Sequence, residues 1–149
     1  MNVKRYTIYL IEDEAAKSCF GQEVLLYKLF LKGQADVSPQ QTIIKKQISY
    51  ITRLIPVLTI HSRLQEKLGG LNGYEMKDNH IIFCPDSRAE LRIYYDHIVL
   101  LANGSLEAET MFFEILRQVE SCFFAMNFQN HHFGWLSPIK TKKNGVKFG

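Results

Sequence analysis

From His80 to Ala102 the hydrophobic pattern leaves the helical period and breaks into three short β-rich runs, "HIIFC", "AELRIYY" and "HIVLLA". Only "PDSR" and a tight turn around Asp96 separate them. A parallel crossover consumes about a dozen residues, so connections this short lead to an antiparallel meander. The middle of the chain is therefore sheet, and the flanking segments must cover it.

Those segments read mostly as helices. Residues 6–11, "YTIYLI", form a strand with few interruptions, which suits a central position covered on both faces. Glu12, Asp13 and Glu14 then begin a helix of about five turns, ending where Gly33 offers a left-handed C-cap. Ala16, Phe20, Val24, Tyr27 and Leu31 step by four and three and form its apolar stripe. A second stripe, Ala15, Cys19, Gln22 and Leu26, is small and half-polar, and the core does not need it. Ser38 reads as the next N-cap, with Pro39 at the first helical position and Gln41 in a capping box. That helix buries Ile44, Ile48, Ile51 and Ile55 before Pro56 interrupts it. Val57, Ile60, His61, Leu64 and Leu68 mark a further helix that stops at Gly69-Gly70.

After the meander, Asn103-Gly104 gives way to a helix capped by Ser105. Its inward face is Ala108, Met111, Phe112, Ile115, Leu116 and Val119. Glu107, Glu109, Glu114, Arg117, Gln118 and Glu120 point outward. "FFAMNF" alternates Phe124, Met126 and Phe128 and reads as a last strand. With 149 residues, 46% apolar and 22% charged, the chain suits one ordinary globular domain. The fold expected is α/β (α+β): a single compact domain over 1–149, a mixed, mostly antiparallel sheet packed with about four helices. A flexible Lys-rich tail begins at about residue 141.

Catalytic chemistry finds no constellation. The acidic knot Glu12-Asp13-Glu14 lacks the later strand-end Asp and placed Lys of a phosphate-accepting site, so it reads as the negative start of a helix. His131-His132, His61, His80 and His97 have no zinc-ligand spacing, and no metal or cofactor is expected. Cys19, Cys84 and Cys122 are odd in number, unpaired in spacing and preceded by no signal peptide. They read as structural thiols in a reduced, cytoplasmic setting. No apolar run reaches the ~18 residues of a membrane span. A net charge of +3 is too small to argue for nucleic acid, although Lys140, Lys142, Lys143 and Lys147 could follow phosphates. A small nucleic-acid-binding module using that tail is the alternative class. The small second stripe on the first helix suits a partner helix.

Three stretches carry a resemblance: "YLIEDEAAKSCFGQE", "KKQISYITRLIPVLTIHSRL" and "EAETMFFEILRQVESCFFAMNFQNHHFGWLSPIK". Together the chain resembles the family of sporulation inhibitor of replication protein SirA, from endospore-forming bacteria. The likeness weakens only at 33–42, through 69–95 and in the tail. It implies a non-enzymatic regulator that binds domain I of the replication initiator DnaA; no membrane or small-molecule substrate is expected, and direct DNA contact is not the expected mode. The family's contact surface falls on Ala15, Cys19 and Gln47, with Pro138 of "GWLSP" implicated less directly, and Gln22 and Leu26 join from the same stripe. The family pattern has larger aromatic side chains where this chain has Ala15 and Cys19.

Overall fold

The computed structural model describes residues 2–34 and 39–139. Ser38, Lys140 and the tail with its further lysines lie outside them. The sheet grows outward from β1 (Lys4–Ile11). On one side β1 pairs with β6 (Ile98–Gly104), on the other with β7 (Phe123–Asn127), both antiparallel. The meander extends the first side through β5 (Ser87–Ile93), β4 (His80–Cys84) and β3 (Tyr74–Met76); β8 (His132–Trp135) closes the other. The order is β3-β4-β5-β6-β1-β7-β8. A two-residue strand, β2 (Thr52–Arg53), pairs with Leu10 and Ile11 beyond the last β6 pair. Every strand pairing among the described residues is antiparallel, in line with the mostly antiparallel sheet expected.

Successive side chains on a strand face opposite ways, and β1 uses both. Tyr6 meets Phe113 edge-on at 5.2 Å, while Tyr9 packs on Phe30 at 4.5 Å. Phe113 belongs to α5 (Glu107–Val119) and Phe30 to α2 (Glu23–Gly33), so helices cover both faces. The other helices are α1 (Asp13–Ser18), α3 (Gln41–Ile51) and α4 (Val57–Leu68). Ile8, Leu10, Leu91, Leu100, Phe112, Phe123 and Phe124 are fully buried at the centre.

Five helices stand where about four were expected, because the first is two. Its apolar repeat runs on, but the backbone turns at Gly21, whose φ of +82° favours glycine. Phe20, just before this elbow, and Val24, just past it, are exposed although expected inside. Gly33 is not a left-handed cap: a Cβ there would lie 2.7 Å from Ile48 Cδ1, so glycine lets α2 approach α3. The Gln41 side chain donates through Nε2 to the Gly33 carbonyl at 3.0 Å.

Two corrections concern α5. Ser105 is exposed, and the Ala108 amide is instead received by Ser87 Oγ of β5 at 3.1 Å. Glu109, expected outward, is buried at 4% exposure, bonded to the Tyr6 hydroxyl at 2.8 Å and to Lys4 at 2.5 Å. Burial first, then this carboxylate, hold the Tyr6 phenol above its usual pKa.

Candidate interaction surface

Helix α1 starts where the acids place it. Glu12 is the N-cap, its Oε1 accepting the Glu14 amide at 3.0 Å, with Asp13 and Glu14 in the first turn. The Glu12 amide donates to the Ile51 carbonyl at 2.7 Å, tying the start of α1 to the end of α3.

The elbow disperses the expected stripe. Ala15 sits in α1, half-buried against the core, and Cys19 ends that helix with its amide on the Ala15 carbonyl. Gln22 is exposed as the α2 N-cap. Leu26 lies inside at 3% exposure, which corrects its place on an outer stripe: beyond Gly21 the helix is re-aimed, and Leu26 turns to the core. Glu23 holds the bend. Its Oε2 accepts the Gly21 amide at 3.1 Å and the Trp135 indole at 3.2 Å. Burial alone would raise this carboxyl's pKa, but these bonds and its own amide hold it below the usual value.

Pro138 is exposed beside α1, on a depression of about 220 Å³ shared with Asp13, Ala16, Lys17, Ser121, Cys122 and Ile139. At its wall the Cys122 thiol faces Asp13 Oδ1 at 3.6 Å. Burial, aided by the Asp13 charge, keeps this thiol above its ordinary pKa despite a Ser121 contact. Burial and then Glu23 do the same for Cys19. Both are poor nucleophiles at neutral pH.

Gln47 is exposed on α3, one turn before Ile51. It lines a groove against α2 of about 450 Å³ with Leu29, Lys32, Gln41, Ile43 and Ile44, continued by Lys46, Tyr50 and Ile51. Ile43 at 58% and Tyr50 at 87% are exposed in its lining, and Leu25, one turn before Leu29 on α2, is 57% exposed. The helical reading missed this row because it gave α3 one apolar face, Ile44-Ile48-Ile51. Ile43, Gln47 and Tyr50, at i, i+4 and i+7, were the signal of a second.

Among the described residues no group of three or more His, Cys, Asp or Glu side chains could hold a metal ion. No described helix is long and apolar enough to cross a membrane. The class defined is a small antiparallel α/β domain that carries exposed apolar side chains on the paired helices α2 and α3. A family model described as sporulation inhibitor of replication protein SirA matches residues 4–140. The curated Sporulation inhibitor of replication protein SirA of Bacillus subtilis (strain 168) is 36% identical over 143 residues, covering 93% of this chain and 97% of that protein. The chain belongs to the SirA family.

Proposed function

We propose that this protein restrains the initiation of DNA replication during sporulation, as a non-enzymatic cytoplasmic regulator that binds domain I of the initiator DnaA. The observation that carries this reading is similarity along nearly the whole chain to a relative named an inhibitor of replication. Raised thiol pKa values at Cys19 and Cys122 support a binding role over thiol catalysis. The docking face is formed by Ala15, Cys19, Gln22, Gln47 and Pro138, with Leu26 supporting it from beneath. Ala15 and Cys19 are small, so larger side chains on the partner reach into the space they leave.

The test is calorimetric titration of DnaA domain I from the same organism into the full chain. A saturable 1:1 heat supports the reading. Absence of binding, with affinity for a DNA duplex instead, transfers the chain to the nucleic-acid class.

A further inference from the structure

A polar cleft of about 340 Å³ lies between α3 and the sheet. Lys45, Ile48 and Ser49, at i, i+3 and i+4, share the flank of α3 that lines it, and Gln47 is on the other side of the helix. Facing them are Tyr9 of β1, Asp96 of the turn between β5 and β6, and Gln34 just past α2. The walls therefore carry one cation and one anion that do not meet. Among the described residues Lys45 has no ion pair, while Asp96 Oδ1 is 2.7 Å from His97 Nδ1 and its second oxygen is left over. The hydroxyls of Tyr9 and Ser49 have no hydrogen-bond partner among the described residues. Tyr9 is nonetheless held in place, its ring packed on Phe30 at 4.5 Å and stacked on His97 at 5.7 Å. Burial, and then the Asp96 charge, hold the Tyr9 phenol above its usual pKa, which keeps it a neutral donor.

We propose that this cleft binds a small zwitterion of the α-amino acid type, its carboxylate on Lys45, its ammonium on Asp96, and the Tyr9 and Ser49 hydroxyls bonded to its polar atoms. A plain anion would match Lys45 but would face the Asp96 carboxylate. A plain cation would match Asp96 but would face Lys45. Only a ligand with both charges satisfies both walls at once. The volume is at the lower end of the range of about 300–1,000 Å³ for small-molecule sites, which suits a single amino acid. The inference does not rest on the docking face, whose residues lie outside this cleft.

The experiment follows backbone amide shifts of the full chain during titration with glycine, L-glutamine and L-arginine in turn, and with propionate and propylamine, which each carry one of the two charges. Lys45→Ala, Asp96→Asn and Ser49→Leu are titrated alongside, with melting curves of each. All three side chains are exposed, so the variants should keep the fold, and Ser49→Leu obstructs the cleft while leaving both charges in place. The expected result is a saturable shift at Gln34, Ser49 and Asp96 with at least one amino acid, at a Kd of about 1 mM or tighter. The same ligand should raise the melting temperature, because it binds the folded state. Each variant should weaken binding about tenfold on an intact melt, and propionate and propylamine should bind about tenfold more weakly than the amino acid. No saturable shift with any of the three amino acids up to about 20 mM overturns the site. Binding that all three variants retain, or shifts confined to residues outside the cleft, overturns it as well. Propionate binding as tightly as the amino acid reduces the site to an anion contact and overturns the zwitterion.

Discussion

The indole Nε1 of Trp135 donates to Oε2 of Glu23 at 3.2 Å, across 112 residues of sequence, and so ties the last strand to the elbow between α1 and α2. The same oxygen accepts the amide of Gly21, the residue with φ of +82°. One carboxylate thus sets the angle at which α2 leaves α1. Trp135 also packs edge-on against Phe124 at 4.9 Å.

Glu23→Ala should lower stability by about 1–2 kcal/mol, since it removes a charged acceptor from two donors in a partly exposed place. Trp135→Phe should cost less, because it can keep the contact with Phe124 and loses only the N–H. Urea midpoints give the energies. Faster hydrogen exchange at the Gly21 amide in Glu23→Ala would locate the loss at the elbow; unchanged exchange there would show that the bend is held by packing alone.

The meander and its turns were legible because their period and connections are local. The elbow was not. Ala16, Tyr27 and Leu31 do pack inward or partly so, and a glycine costs a helix only about 1 kcal/mol. Nothing before Glu23 announces that its side chain will reach back to Gly21 and across to Trp135. Glu109 failed differently: its helical angle lies near the margin of the apolar stripe, and its partners, Tyr6 and Lys4, are in β1. Of the candidate surface, Gln47 is exposed on α3, whereas Leu26 depended on a helix direction that the elbow changes.

Glu109 is a buried charge, so its partners should matter more than their number suggests. Lys4→Met leaves the carboxylate with the Tyr6 phenol alone and should cost about 3 kcal/mol. Lys4→Met with Glu109→Leu removes both charges and should recover much of that. A double-mutant cycle by chemical denaturation measures the coupling. Strict additivity would mean that the pair is solvated.

Phe112 is fully buried, facing the sheet from α5 with Leu116 and Ala108 on the same side. Phe112→Ala should cost about 3–5 kcal/mol through lost burial and the cavity left behind. A midpoint shifted by less than about 1 kcal/mol would show that the neighbouring helices close over the gap.

His80 gives the fold a pH signature. It is 1% exposed, with Nε2 2.7 Å from His61 Nδ1 and Nδ1 2.7 Å from the Tyr74 hydroxyl. Burial, and then the charge of His61, push its pKa down from 6.5 to about 4. Between those values the unfolded chain holds a proton that the folded one refuses, so stability rises with pH across that window. The full effect of this group is about 3 kcal/mol, present at neutral pH and lost as the pH falls toward 4. His80→Gln should be less stable at neutral pH and should flatten the slope of stability against pH. A wild-type slope that the variant preserves would place the titration elsewhere.

Ala15 provides the sharpest separation of docking from folding. It is half-buried at the edge of the core, on the exposed helix whose start Glu12 caps. Ala15→Glu would set an unpaired charge into the proposed contact and should weaken domain I binding by a few kcal/mol, roughly a hundredfold. The melt should move little, because a glutamate at this position can extend its carboxylate to solvent. Calorimetric titration and thermal melts of wild type and variant read the two effects separately. Unchanged affinity on an intact fold would move the contact toward Gln47 and Pro138. Loss of binding and stability together would mean that Ala15 serves the core, and only weaker binding on an intact fold supports its place in the docking face.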